Sequence, residues 1–257
     1  MGRARWVRNL VTLAVLGVAS GCSSSAAEYT PPPITASVGA TEPFSTLLTS
    51  LDSPVDILVV GDRTGPSLGG WVYLTLQNLT ERSGRPGLVR EWNYESGTGY
   101  LEAPVAEIAG DGAPITVWNA SVSRNVDFLN EALPGMIPPA DVDLVLVNNG
   151  LDMGAATLAE ASIPLMRRLG TFCPDAGVVA ILQPSPPGEV ERIHGNVRDL
   201  EISSRINHFQ TIDVSTAFGS ASGVYDGTDR YSNLDGQRLW SSVVTDALLW
   251  DIGVPVA

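Results

Sequence analysis

The sequence predicts an α/β fold, a mainly parallel sheet covered by helices on both faces. Two observations carry this: from Asp56 onward strand-length apolar runs alternate with helix-length segments, and the runs are apolar throughout instead of alternating with polar residues. A strand apolar on both sides needs cover on both sides, which the intervening helices supply. The first strand is Asp56-Ile57-Leu58-Val59-Val60, ended by Gly61-Asp62, and a helix begins within Gly70-Trp71-Val72-Tyr73-Leu74-Thr75-Leu76. Ile115–Trp118, Val142–Val147, Gly177–Leu182 and Phe209–Asp213 complete a five-stranded sheet. Leu88–Asn93 is a candidate sixth strand, at an edge and pairing near Ile115–Trp118. Between those two segments, Tyr94–Gly112 reads as a Gly-rich loop with a short helix around Ala103–Ile108. Ala155–Leu169, Val190–Asn207 and Asp235–Leu249 have helical length and spacing. Ligands of such sheets bind beyond the carboxyl ends of the strands, so functional positions are expected immediately after each strand.

Ahead of this domain, residues 1–22 have the three regions of an export signal: Arg3, Arg5 and Arg8, an apolar run from Leu10 to Ala19, then Ser20-Gly21-Cys22. The apolar run is about half the length a membrane-spanning helix needs. Val18-Ala19-Ser20-Gly21-Cys22 resembles a bacterial lipobox, which makes Cys22 the expected lipidation site and mature N-terminus; the alternative is a plain secretory signal cut nearby. Residues 23–54 are rich in Ser, Ala, Thr and Pro, including Pro31-Pro32-Pro33, and read as a semi-extended tether to a domain spanning 55–257. The expected location is the outer face of a bacterial cell membrane, reached through the lipid anchor alone.

Composition narrows the function classes. The 257 residues are 44% hydrophobic, enough for a full core, and every one of the 15 basic residues is arginine. Against them stand 28 acids, a balance unsuited to a nucleic-acid surface. Two histidines, His194 and His208, stand at unclustered positions that give no metal-site spacing, so neither a metal site nor a cofactor is expected, and both read as structural. Once Cys22 is lipidated, Cys173 has no partner and reads as a buried thiol.

The strand ends, in order, are Gly61-Asp62-Arg63-Thr64-Gly65, Asn119-Ala120-Ser121-Val122-Ser123-Arg124, Asn148-Asn149-Gly150-Leu151-Asp152 and, before the last helix, Tyr231-Ser232-Asn233-Leu234-Asp235-Gly236. Four blocks at these places resemble the SGNH hydrolase superfamily, the GDSL esterases and lipases. The resemblance implies a flavodoxin-like three-layer α/β/α sandwich. It also implies a site in which a serine attacks an acyl carbonyl, a histidine takes its proton, an aspartate orients the histidine, and a glycine and an asparagine steady the oxyanion.

The chemistry of those positions has changed. Arg63 stands at the nucleophile, and a guanidinium cannot be deprotonated to attack. Arg124 stands at the second-block glycine, and Asp152 replaces the asparagine with an acceptor of the wrong charge. Aligning on Asn233 and Gly236 puts Tyr231 at the histidine and Thr228 at the aspartate; aligning on Asp226-Gly227 puts Asp229 at the histidine. Three readings stay open. The domain is an inactive binding module in which Asp62, Arg63, Arg124 and Asp152 hold a small anionic or glycan ligand; or a vestigial cleft in which Arg63 pairs with Asp152 and Arg124 with Asp62 or another acid; or an active esterase of envelope acyl or acetyl esters with a displaced site, for which Ser67 is the replacement nucleophile. A purely structural or partner-binding role for the fold's surface is the remaining possibility. Trp71, Trp118 and Trp240 read as packing, and Trp92 is the least constrained tryptophan.

Overall fold

The computed structural model describes residues 52–65, 68–151, 157–227 and 231–249, without the side chains of 190–192 and 194. The predicted signal, Cys22 and nearly all of the tether lie outside the described residues.

Seven strands form one sheet: β1 (Val55–Gly61), β2 (Gly87–Glu91), β3 (Ala106–Ile108), β4 (Ile115–Ser121), β5 (Leu144–Asn148), β6 (Gly177–Leu182) and β7 (Gln210–Asp213), in the order β3-β2-β4-β1-β5-β6-β7. The five predicted strands lie side by side as β4-β1-β5-β6-β7, all parallel, which is the flavodoxin order. The sheet is two strands wider than predicted. β2 pairs in parallel with β4, Gly87 opposite Ile115 and Glu91 opposite Asn119, but it is not the edge. That place is taken by β3, antiparallel to β2 with Leu88 opposite Glu107, where a short helix was expected. The cause is tertiary: Val105 N–H donates to the Val89 carbonyl at 2.8 Å, drawing a segment with little pattern of its own into the ladder.

Six helices cover the sheet: α1 (Trp71–Ser83), α2 (Val126–Met136), α3 (Leu158–Phe172), α4 (Val190–Ile206), α5 (Val214–Ser220) and α6 (Leu234–Leu249). α2 and α5 are additional to those the pattern predicts. α2 is started by Asn125, whose side chain accepts from Phe128 N–H at 3.1 Å, and it tolerates Pro134 near its end. α5 is started by Asp213, the last residue of β7, accepting from Thr216 N–H at 2.9 Å.

On one face, Leu58, Val60, Ala120, Val145, Val147, Ala180 and Leu182 pack against Leu129, Leu133 and Met136 of α2, Met166 and Leu169 of α3, and Leu200 of α4. The alternate strand residues point the other way, toward α1, α5 and α6. There Trp71 and Trp240, both fully buried, stack with ring centroids 5.6 Å apart and planes 9° from parallel. Burying a large apolar side chain contributes roughly 1.5–3 kcal/mol, so these two layers dominate stability. Cys173 packs within the first layer as the buried thiol expected. Among the described residues, no helix is long and apolar enough to cross a membrane.

Candidate functional site

The carboxyl ends of β1, β4 and β5 meet with no room for side chains at two glycines. A Cβ on Gly61 would lie 2.2 Å from the Asn148 carbonyl oxygen, and one on Gly65 2.3 Å from Ser121 Oγ. This close approach seats Asp62, whose N–H donates to the Asn148 carbonyl at 2.8 Å.

Asp62 is buried and accepts four hydrogen bonds. Oδ1 takes Thr64 N–H at 3.1 Å and Thr64 Oγ1–H at 2.8 Å, while Oδ2 takes Leu151 N–H at 3.1 Å and Gln183 Nε2–H at 2.9 Å. Gln183 also donates to Asn148 Oδ1 at 3.0 Å, and Asn148 Nδ2 donates to Thr64 Oγ1 at 2.7 Å, closing the ring. Burial pushes the Asp62 carboxyl up, and the donors from Gln183, Thr64 and Leu151 hold it back. All four hydrogen bonds are donated to Asp62, so the geometry is built for the carboxylate. Asp62 therefore anchors the loops and offers no face to a ligand.

The two arginines do not pair with that carboxylate. Arg63 is exposed, its guanidinium 4.3 Å from the centroid of the Tyr231 ring. Arg124 lies over Tyr94 at 5.3 Å and Phe128 at 5.8 Å and donates to the Tyr94 hydroxyl. The expected pairing of Arg124 with Asp62 is thus replaced by aromatic stacking, because Asp62 is sealed beneath its own donors. Asp152, Thr228, Asp229 and Ser67 lie outside the described residues.

Beside Arg124 opens a cavity of about 340 Å³, lined by Glu91, Trp92, Tyr94, Asn119, Ser121 and Arg124 among others. Trp92 is fixed by its indole N–H, which donates to the Gly135 carbonyl at 2.8 Å, and it meets Tyr94 edge-on at 6.0 Å. Asn119 is occupied: Nδ2 donates to the Gly65 carbonyl and Oδ1 accepts from Ser121 N–H, both at 3.2 Å. Ser121 Oγ is buried with no hydrogen-bond partner. Burial pushes the Glu91 carboxyl up. Glu91, Trp92 and Tyr94 were missed as site residues, although they stand at the carboxyl end of a candidate strand, where the strand-end rule points. Among the described residues there is no cluster of His, Cys, Asp or Glu that could hold a metal ion.

No protein-family model matches the chain, and no curated protein does. Solved structures do. A protein described as a GDSL-like lipase from Parabacteroides merdae superposes with TM-score 0.56 at 12% identity, over 79% of this chain and 98% of its own. The lipase/acylhydrolase from Enterococcus faecalis gives 0.53 at 14%, over 77% and 96%. An acetylxylan esterase from Geobacillus stearothermophilus gives 0.53 at 14%, over 80% and 97%. The chain has the SGNH hydrolase fold.

Within the SGNH fold the block residues this chain keeps have work that is independent of catalysis. Gly61 and Gly65 allow the strand ends to close, Asp62 anchors the loops, and Asn119 ties the second block to the first. In the last block Asn233 donates to the Gly223 carbonyl at 2.8 Å and to Asp226 Oδ1 at 2.9 Å, and accepts from Gly236 N–H at 3.1 Å. A Cβ on Gly236 would meet the Val224 carbonyl at 2.5 Å. The resemblance puts Arg63 and Arg124 at two of the altered positions and, on the alignment through Asn233 and Gly236, Tyr231 at a third; the alignment through Asp226-Gly227 puts Asp229 there instead. His208 does not replace the reacting groups: it follows α4 in a tight turn with φ of 61°, at the amino end of β7 and hence the opposite end of the strands. The side chain of His194 lies outside the described residues.

Proposed function

We propose that this SGNH-fold domain is a catalytically inactive binding module of a lipid-anchored envelope protein, taking a small anionic or glycan ligand at the strand ends. The observation that carries the reading is the stack of Arg63 on Tyr231 at 4.3 Å. It puts a permanent cation against a phenol where the resemblance places nucleophile and general base, and neither group can do the other's chemistry at neutral pH. What remains useful at such a site is recognition, and the Arg124 guanidinium, lying over Tyr94 and Phe128, suits carboxylate, phosphate or sugar oxygens. The anchor rests on the lipobox-like sequence ending at Cys22.

The decisive experiment is turnover of short-chain aryl esters by the purified protein, with thermal-shift screening against phosphates, uronic acids and envelope glycans. No hydrolysis together with stabilisation by an anion or glycan is expected. Hydrolysis, or an absence of any ligand-dependent shift, overturns the module. For the anchor, incorporation of labelled fatty acid that is lost in Cys22→Ala is expected, and incorporation that persists overturns it.

A further inference from the structure

The cavity at the ends of β2 and β4 is a product of the widened sheet. One wall, with Ser121 and Arg124, belongs to the five-strand core; the other, with Glu91, Trp92 and Tyr94, follows β2, which lies outside that core. Two groups facing it have different unmet needs. The Glu91 carboxyl is half-buried and makes no side-chain hydrogen bond or ion pair among the described residues, so it lacks donors. Arg124 donates to the Tyr94 hydroxyl and, at 3.5 Å, to the Ser123 carbonyl, and its five N–H groups leave others for an acceptor. Between them stands the ring of Tyr94, 46% exposed and backed edge-on by the buried Trp92, which offers contact to an apolar surface.

A simple anion meets only the needs of Arg124. A fatty acyl chain meets only those of the ring. A pyranose has a C–H face for the ring and hydroxyl donors for the carboxylate, and a substituent on it can carry the acceptor. We propose that this cavity binds one sugar ring of a glycan, its hydroxyls on Glu91, its face on Tyr94, and a carbonyl or carboxylate oxygen of its substituent on Arg124. A volume of about 340 Å³ is near the lower limit of ligand pockets and suits one substituted ring better than a chain of them. The inference rests on the reading of the domain as a binding module and names its ligand.

The test is calorimetric titration of the purified full chain with N-acetylglucosamine and with glucuronic acid, inorganic phosphate being the control. Saturable binding of at least one sugar is expected, with phosphate inert. Glu91→Gln, which keeps the shape, and Tyr94→Ala, at an exposed ring, each weaken binding by roughly tenfold, about the loss of one hydrogen bond to a charged group or one stacking contact. No sugar binding, equal binding of phosphate, or affinity unchanged in both variants overturns the inference. The aryl-ester assay on the same preparation separates the two failures: an inert protein that ignores sugars loses this inference alone, whereas one that turns over ester loses the module reading.

Discussion

Asp62 and Gln183, 121 residues apart in the chain, share a 2.9 Å hydrogen bond beneath the mouth of the sheet, and the same amide nitrogen reaches Asn148 Oδ1 at 3.0 Å. Gln183 Oε1 meanwhile accepts from Leu151 N–H at 3.1 Å. Gln183→Leu strips a donor from a buried carboxylate and leaves Asn148 Oδ1 without this donor, at a cost of about 3 kcal/mol. Urea denaturation is expected to show this loss. Gln183→Glu places a second carboxyl against Asp62 and is expected to lose more at neutral pH than under mild acid, where one of the pair takes up a proton.

Asp56 and Asp143 set a second expectation. Asp56 Oδ1 accepts from the Trp118 indole at 2.6 Å, and Asp143 Oδ2 accepts from Asp56 N–H at 2.8 Å. Burial pushes both carboxyls above their ordinary value of 3.8; Asp143 and Asp141 push Asp56 further, and Asp141 pushes Asp143 further while Arg85 pulls it back. A carboxyl raised on folding makes the folded state bind more protons than the unfolded one. Its stabilising contribution is complete below 3.8 and disappears as pH rises through the higher folded value. Urea midpoints measured from about pH 4 to about pH 7.5 are therefore expected to fall with rising pH from this pair, and Asp143→Asn, which keeps the acceptor, to flatten that fall.

Arg85 is fully buried at the opposite end of the sheet, donating to the carbonyls of Ala113 at 2.9 Å, Ser53 at 2.5 Å and Pro114 at 3.3 Å. It clamps the chain entering β1 onto the loop entering β4. Arg85→Ala is expected to cost about 2–4 kcal/mol and to open the segment near Ser53 to limited proteolysis. Arg85→Lys is expected to restore little, because an ammonium cannot span three carbonyls with a planar fork.

Returning the resemblance's reacting groups tests how far the site has drifted. The double variant Arg63→Ser, Tyr231→His is expected to fold and to hydrolyse aryl esters no faster than the parent. Thr228 offers no carboxylate to orient the new histidine, and Arg124 still lies over Tyr94 and Phe128. Measurable gain in turnover would show that the remaining frame suffices.

Much of the sheet was legible because its strands are apolar on both faces, and that leaves a mark in a single sequence. β3 left none: three residues, Ala106-Glu107-Ile108, are held by β2 and have no period to detect. Gly61, Asp62, Asn233 and Gly236 were visible as punctuation between elements. Gln183 was not, since its importance comes from a carboxylate 121 residues upstream. The cavity was half legible. Trp92 stood out as the tryptophan no pattern buried, but its wall could be placed beside Ser121 only once β2 was known to lie against β4.

The stack of Trp71 on Trp240 governs when the domain can finish folding. α1 forms early in the chain, yet the indole that covers Trp71 and the Gln237 oxygen that accepts from Trp71 N–H at 2.7 Å both arrive on α6, and that hydrogen bond spans 166 residues. Until α6 emerges, α1 and α5 lack their neighbour on this face of the sheet, and a large loop must close to bring it in. The last core layer therefore seals only after α6 has been made, and until then Trp71 lacks the indole that covers it.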